Sequence, residues 1–154
     1  MEKLKVYIDT SVIGGCFDEE FSKWSNMLFE EFKSGHKIAV ISELVVEELK
    51  NAPANVKNKL KEIPNEFLII IENSDTMIQL AEKYLEQKVI SKKFKDDALH
   101  IATATILNVD VLVSWNFKHI VNFNRIKQFN GVNLLCGYRE IDIRSPREII
   151  NNED

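Results

Sequence analysis

Acidic side chains lie beside apolar runs at three separate places in this sequence. Asp9 follows LKVYI, Glu48 lies within ELVVEEL, Asp97 precedes ALHIATATIL, and Asn116 adds an amide oxygen after VDVLVSW. Carboxylate and amide oxygens without a His or Cys partner are the ligands that Mg²⁺ and Mn²⁺ accept and Zn²⁺ does not favour. Two carboxylates about 5 Å apart repel by about 3 kcal/mol at an effective dielectric near 20, so three of them would bind protons or a cation. These residues predict a site for a hard divalent cation, provided that the fold brings them together.

Each acid also has an ordinary explanation when it is taken alone. Asp9 could cap the turn after a strand. Asp96 and Asp97 could be first-turn acids that favour a helix N-terminus. Glu47 and Glu48 could be solvated helix surface. Only the occurrence of all of them at the ends of predicted strands, or on the elements that follow, favours a site.

The elements that must position these residues alternate between strand and helix. Strands are predicted over residues 4–10, 37–42, 66–72 and 109–114, with a last one in 139–150 that ends at Ser145-Pro146. Helices are predicted over about 22–33, 42–50, 53–62, 74–87, 95–107 and 124–130. This order predicts an α/β fold, a three-layer α/β/α sandwich with a central, mainly parallel sheet, in a single domain over 1–154. Ligands of open parallel sheets bind beyond the carboxyl ends of the strands, where the acids fall.

Composition and charge restrict the partners. The net charge of −4 argues against a basic protein that coats DNA phosphates, although a bound cation could supply positive charge for a nucleic acid. Cys16 and Cys136 match no metal-binding spacing and suit a reducing compartment. The charged N-terminus and the absence of any apolar run of membrane-spanning length predict a cytoplasmic protein without a membrane partner.

Four segments of the sequence resemble the PIN domain, and in particular the VapC-type toxin ribonucleases of toxin–antitoxin pairs. The segment YIDTSVIGG resembles the family's opening strand with its first acid, and AVISELVVEELKNAP resembles the strand–helix block in which an acid precedes leucine. The segment DDALHIATATILNVDVLVSWN resembles the block in which Asp precedes Ala-Leu, and EIDIRSPREII resembles the closing strand. The order and spacing of these short motifs carry the resemblance over nearly the whole chain. Where the family often has an aspartate after the fourth strand, this chain has Asn116, which contributes no charge.

The resemblance implies an endoribonuclease that depends on Mg²⁺ or Mn²⁺. The metal ligands would be Asp9, Glu48 and Asp97, and the catalytic set would add Asn116. Substrate contacts are expected from four further residues: Ser11, Lys93, Lys95 and Ser114. The expected partners are RNA, a second copy of the chain in a homodimer, and a cognate antitoxin.

The residues also allow other readings. The chain could be a non-catalytic or weakly active RNA-binding module on the same fold, in which Asn116 marks a weakened site. A phosphohydrolase with Asp9 as nucleophile is disfavoured, because no second aspartate follows two residues later. His100, three residues after Asp97, could orient that carboxylate, contact substrate, or be an ordinary core histidine. Trp115 could stack on a base, although packing at the strand end is the commoner role.

Overall fold

A computed structural model of the chain describes residues 2–151. The strands are β1 (Leu4–Ile8), β2 (Lys37–Ser42), β3 (Leu68–Ile71), β4 (Val111–Val113) and β5 (Ile143–Arg144). The helices are α1 (Thr10–Gly15), α2 (Ser22–Lys33), α3 (Glu43–Leu49), α4 (Ala54–Lys59), α5 (Asp75–Glu86), α6 (Lys95–Leu107), α7 (Phe123–Leu135) and α8 (Pro146–Ile149). Short 3₁₀ turns over Leu60–Glu62, Asn65–Phe67 and Lys92–Phe94 precede or extend these elements.

The strands form one sheet in the order β3-β2-β1-β4-β5, and every pair of neighbours in it is parallel. β1 lies at the centre, where Tyr7 is in register with Val40 of β2 and with Leu112 of β4. All the strands therefore present their carboxyl ends at one edge. The predicted three-layer α/β/α class is confirmed, with a sheet that is parallel throughout its described strands.

The helix α6 is buried on more than one side, as its apolar sequence predicts. Seven of its residues are buried: Ala98, His100, Ile101, Ala102, Thr103, Ala104 and Thr105. The small side chains allow close approach to neighbouring elements. This packing holds the first turn of α6, with Asp97, at the carboxyl edge of the sheet.

Close packing also fixes α1 beneath the end of β4. A Cβ atom on Gly15 would come within 2.7 Å of both Ser25 Oγ and Trp115 Nε1. Only glycine fits there without displacing the indole that follows β4.

Several predicted boundaries are wrong, and local hydrogen bonding explains them. The first strand ends at Ile8 rather than at residue 10, because Asp9 caps the unpredicted helix α1 by accepting from the backbone N–H of Val12. The closing strand is only Ile143–Arg144, because Ser145 and Glu148 form a capping box that starts α8. α7 extends to Leu135, five residues beyond the predicted end at residue 130.

No helix within residues 2–151 combines the length and the apolarity that crossing a bilayer requires.

Candidate active site

Asp9 is buried at the end of β1 and held through both of its oxygens. Its side chain is only 5% exposed. Oδ1 accepts from Ser11 Oγ (2.6 Å) and from the backbone N–H of Val12 (3.3 Å), and Oδ2 accepts from Ser114 Oγ (2.6 Å). Burial raises the pKa of Asp9, and the charge of His100 and the two hydroxyl hydrogen bonds oppose that rise. The two serines therefore orient this carboxylate and stabilise its ionised form.

Glu48 reaches the same edge from α3 and uses one oxygen for two contacts. Its Oε1 accepts from Thr10 Oγ1 (2.8 Å) and lies 2.8 Å from Nε2 of His100. Burial alone would raise the pKa of Glu48, but the hydrogen bond and charge of His100, with the Thr10 hydroxyl, outweigh burial and lower it. Within residues 2–151 no hydrogen bond engages the second oxygen, Oε2.

A buried polar chain lies behind Glu48. Nδ1 of His100 is 2.7 Å from the hydroxyl of Tyr7, which is 2.9 Å from Ser42 Oγ. Burial opposes a charge on His100, but the hydrogen bond to Glu48 and the charges of the nearby carboxylates raise its pKa. The predicted alternatives for His100 are thus resolved in part: it is a buried, hydrogen-bonded histidine, and the carboxylate that it contacts is Glu48.

Asp97 lies in the first turn of α6 and carries the clearest sign of crowded negative charge. Burial raises its pKa to about 6, with further upward contributions from Asp9, Glu48 and Asp96, against the charge of His100. Asn116 Nδ2 donates to Asp97 Oδ2 at 3.2 Å. As with Glu48, the hydrogen bonds among the described residues leave one oxygen, Oδ1, unengaged.

The orientation of the Asn116 amide is set by the loop that follows β4. The backbone N–H of His119 donates to Asn116 Oδ1 at 3.0 Å, so the NH₂ group faces Asp97. Asn116 therefore acts here as a hydrogen-bond donor to a carboxylate. A carbonyl-ligand role for Asn116 would compete with the bond from His119.

The donor set suits a hard cation, but it is not a closed cage. In the described part of the chain, no three His, Cys, Asp or Glu side chains already form a metal-holding group. The charges of Asp9 and Glu48 nevertheless help raise the pKa of Asp97, and Glu48 and Asp97 each have an unengaged oxygen. Such a set fits a cation that keeps several of its own waters and takes one or two protein carboxylates, as Mg²⁺ commonly does.

Neighbouring charged residues are separated from this cluster. Glu47 is exposed and pairs with Lys50 at 2.8 Å, so Glu48 is the member of the pair that faces the site. Asp96 is exposed. Lys93 and Lys95 are also exposed, and within residues 2–151 neither forms a hydrogen bond or an ion pair with the acids. Their predicted contact with substrate stays a prediction.

The residues around Trp115 pack rather than face solvent. Its ring stacks on Phe21 with centroids 4.2 Å apart, Nε1 donates to Ser25 Oγ, and the backbone N–H donates to Ser11 Oγ. The packing role considered for Trp115 is the one observed. Ser11 and Ser114 bind Asp9 in this arrangement, and their predicted contact with substrate stays a prediction.

Sequence reasoning missed the residues that support Glu48. Thr10 adjoins Asp9 and could have been noticed as a hydroxyl at a strand end. Tyr7 gave no signal, because a tyrosine in a β-branched run is ordinary strand composition.

Comparison with protein-family models and with curated proteins gives no match. Among solved structures, the chain is similar to one in the crystal structure of VapBC2 from Rickettsia felis bound to a DNA fragment from their promoter. That match has a TM-score of 0.60 and 18% identity, and covers 92% of this chain and 98% of that one. It is also similar to VapC20 of Mycobacterium tuberculosis, a sarcin-ricin loop cleaving toxin. That match has a TM-score of 0.56 and 11% identity, and covers 74% of this chain and 92% of that one. The chain therefore has the PIN-domain fold of VapC-type toxins, which confirms the fold implied by the sequence resemblance.

Proposed function

We propose that this protein is a metal-dependent endoribonuclease and the toxin component of a type II toxin–antitoxin pair. The observation that supports the proposal best is the meeting of Asp9, Glu48 and Asp97 at the carboxyl edge of the sheet, where the other two carboxylates help raise the pKa of Asp97. Such a cluster is costly without a cation, and open parallel sheets bind ligands at this edge.

The unengaged oxygens of Glu48 and Asp97 are the proposed direct ligands of Mg²⁺ or Mn²⁺, and Asp9 is the third, either directly or through a water. When bound, the cation supplies an acidified water and neutralises charge on a scissile phosphate. Ser11 and Ser114 keep Asp9 ionised and oriented. Asn116 holds the other oxygen of Asp97 in place.

RNA as the substrate is supported by the likeness to VapC20, whose structure is described as that of a sarcin-ricin loop cleaving toxin. An antitoxin partner is supported by the likeness to VapBC2, which was solved bound to its promoter DNA. We also propose a cytoplasmic location, which the sequence predicts, and a homodimer, which the resemblance to PIN domains implies. Sedimentation of the purified chain would test the dimer.

The test compares RNA cleavage by closely matched variants. Glu48 and Asp97 each have an exposed acidic neighbour, so Glu48→Gln is compared with Glu47→Gln, and Asp97→Asn with Asp96→Asn. We expect Glu48→Gln and Asp97→Asn to lose about a hundred-fold or more of the Mn²⁺-stimulated rate, as is usual when charge stabilisation at a reacting group is removed. Their neighbours should stay close to the parent, and EDTA should abolish cleavage. Cleavage that survives EDTA, or that all four variants retain equally, would refute the proposal.

A non-catalytic RNA-binding module is the second candidate. It is favoured by Asn116, which adds no charge, and by the lack of a ready-made three-ligand group within residues 2–151. This candidate predicts RNA binding that is unaffected by EDTA, with no cleavage in Mg²⁺ or Mn²⁺.

A further inference from the structure

A groove of about 560 Å³ lies between the end of α5 and the start of α7. Seven polar residues line it: Lys88, Ser91, Lys118, Asn122, Asn124, Arg125 and Gln128. Its size falls in the range of roughly 300–1,000 Å³ that is common for ligand clefts.

The groove is positively charged in a protein that is negative overall. Three of its lining residues are cationic, and none of the described residues that line it is acidic, although the chain has a net charge of −4. Amide and hydroxyl side chains supply further hydrogen-bond donors. A surface of this composition suits an extended anion, since phosphate groups accept from Lys, Arg, Asn, Gln and Ser side chains.

Lys88 occupies a backbone position that favours glycine. The backbone N–H of Val89 donates to Tyr84 O and that of Lys88 to Leu85 O, the pattern of a Schellman motif at the end of α5. Lys88 is its left-handed residue, with φ of 59°. Lysine is disfavoured in that conformation, and strained residues of this kind concentrate at functional sites. A functional use of the lysine side chain in the groove would explain why glycine is not found there.

A hydrogen bond connects the two sides of the groove. Arg125 Nη1 donates to the carbonyl of Val89 at 2.5 Å, and the backbone N–H of Arg125 donates to Asn122 Oδ1 at 3.2 Å. The first of these bonds joins the segment after α5 to the start of α7, so the guanidinium of Arg125 is held in place before any ligand binds.

The groove also adjoins the candidate active site. Lys118 lies on the loop whose next residue, His119, donates its backbone N–H to Asn116. The ring of His119 stacks on Phe94 with centroids 3.8 Å apart, immediately before α6 and Asp97. The Phe94–His119 stack thus joins the loop that carries Lys118 to the residue that precedes α6.

We infer that this groove binds the phosphates of the single-stranded RNA next to the scissile bond. The inference rests on the proposed function, because it needs a nucleic-acid substrate. A strand that leaves the groove at Lys118 would pass the loop that carries Asn116 and present its next phosphate to the carboxylates. Lys88 and Lys118 would pair with phosphates, as the lysines of single-strand binding channels do.

Fluorescence anisotropy with a short labelled single-stranded RNA, in EDTA to prevent cleavage, tests the groove. We expect Lys88→Gly and Lys118→Gln each to weaken binding about three- to ten-fold, and the slope of log K against log salt to fall by about 0.7 per lost contact. Lys88→Gly should melt at the parent temperature or above it, so lower affinity could not be attributed to unfolding.

Two controls match these variants. Asn108→Gly makes the same backbone change at the end of α6, where Asn108 is also left-handed with φ of 53°, but this residue lies outside the groove. Lys61→Gln removes an exposed lysine that does not line it. Both should bind RNA within two-fold of the parent. Parent-like binding by a Lys88→Gly/Lys118→Gln double variant would overturn the inference, as would equal competition by poly-glutamate, which would point to an acidic polypeptide instead.

The outcomes separate this inference from the proposed function. If the parent binds RNA through the groove but cleaves none with Mg²⁺ or Mn²⁺, the groove stands and the nuclease proposal fails. If the parent cleaves RNA and the double variant binds and cleaves it equally well, the nuclease stands and the groove fails. If the parent binds no RNA, the groove is overturned.

Discussion

Nε2 of His100 lies 2.8 Å from Oε1 of Glu48, and the other nitrogen of the same buried ring lies 2.7 Å from the hydroxyl of Tyr7. An ionised carboxylate only accepts hydrogen bonds, so Nε2 carries a proton and donates to Glu48. One ring thereby connects α6 to a carboxylate on α3 and to the central strand. Glu48 is left with a fixed orientation and one oxygen available for a ligand.

Replacing His100 should reduce activity by misplacing Glu48. We expect His100→Leu to lower the Mn²⁺-stimulated rate by about 10- to 100-fold, the usual cost of losing a residue that orients a metal ligand. The Mn²⁺ concentration at half-maximal rate should rise, while KM for RNA changes little. His100→Gln keeps an N–H donor and should recover part of the loss. A His100→Leu enzyme with the parent's Mn²⁺ dependence would show that the ring only fills space.

Asn116→Asp should make the protein more dependent on a cation. Asn116 Nδ2 lies 3.2 Å from Asp97 Oδ2, so an aspartate would replace an attractive contact with a repulsive one. The metal-free variant should melt below the parent, and Mn²⁺ should raise its melting temperature by more than it raises the parent's. Asn116→Ala is the control, because it removes the donor without adding charge. Equal Mn²⁺ responses in all three proteins would mean that no cation lies near Asp97.

Much of the architecture follows from local sequence. The helices over 22–33 and 95–107 and the strand over 37–42 occur with the predicted bounds, because each has an uninterrupted apolar pattern and a clear stop. Of the two neighbouring glutamates, Glu48 lies near the other acids, whereas Glu47 pairs with Lys50 in solvent. Asp9, Glu48 and Asp97 meet because parallel strands share one carboxyl edge.

What could not be predicted depends on contacts between distant segments. Asp9 accepts from Ser114, and the orientation of Asn116 depends on the backbone of His119, which has no sequence signature. The helix α1 was hidden because the glycines of TSVIGG disfavour helix by propensity. Packing of Gly15 under Trp115 overrides that propensity.

Ser114→Ala should leave Asp9 under-satisfied. The Ser114 hydroxyl donates to Asp9 Oδ2 at 2.6 Å in a buried setting, and hydrogen bonds to charged groups contribute about 1.5–3 kcal/mol. We expect a loss of that size in the free energy of unfolding at neutral pH, measured in urea, and a smaller loss in acid, where Asp9 is protonated. Ser34→Ala removes an exposed hydroxyl and should have little effect. A loss that does not depend on pH would indicate a packing defect instead.

The titration of Asp97 predicts how stability depends on pH when no metal is bound. Its pKa in the folded protein is about 6 against an ordinary value of 3.8, so between these values the folded state binds more protons than the unfolded state. The contribution of Asp97 to the free energy of unfolding is therefore fully present below about pH 4 and is lost as the pH rises through about 6. Asp97→Asn removes the titration and keeps an oxygen for Asn116.

Thermal melts in EDTA from pH 4 to 7.5 would measure this effect. Because solvent screens the half-buried Asp97, we expect Asp97→Asn to raise the free energy of unfolding at pH 7.5 by about 1–2 kcal/mol. Each kcal/mol raises the melting temperature of a chain of this size by about 2–4 °C. The gain should disappear near pH 4. Mn²⁺ at pH 7.5 should stabilise the parent more than the variant, because only the parent offers the cation this carboxylate. A constant difference across the pH range would contradict the raised pKa, since it would mean that Asp97 ionises alike in both states.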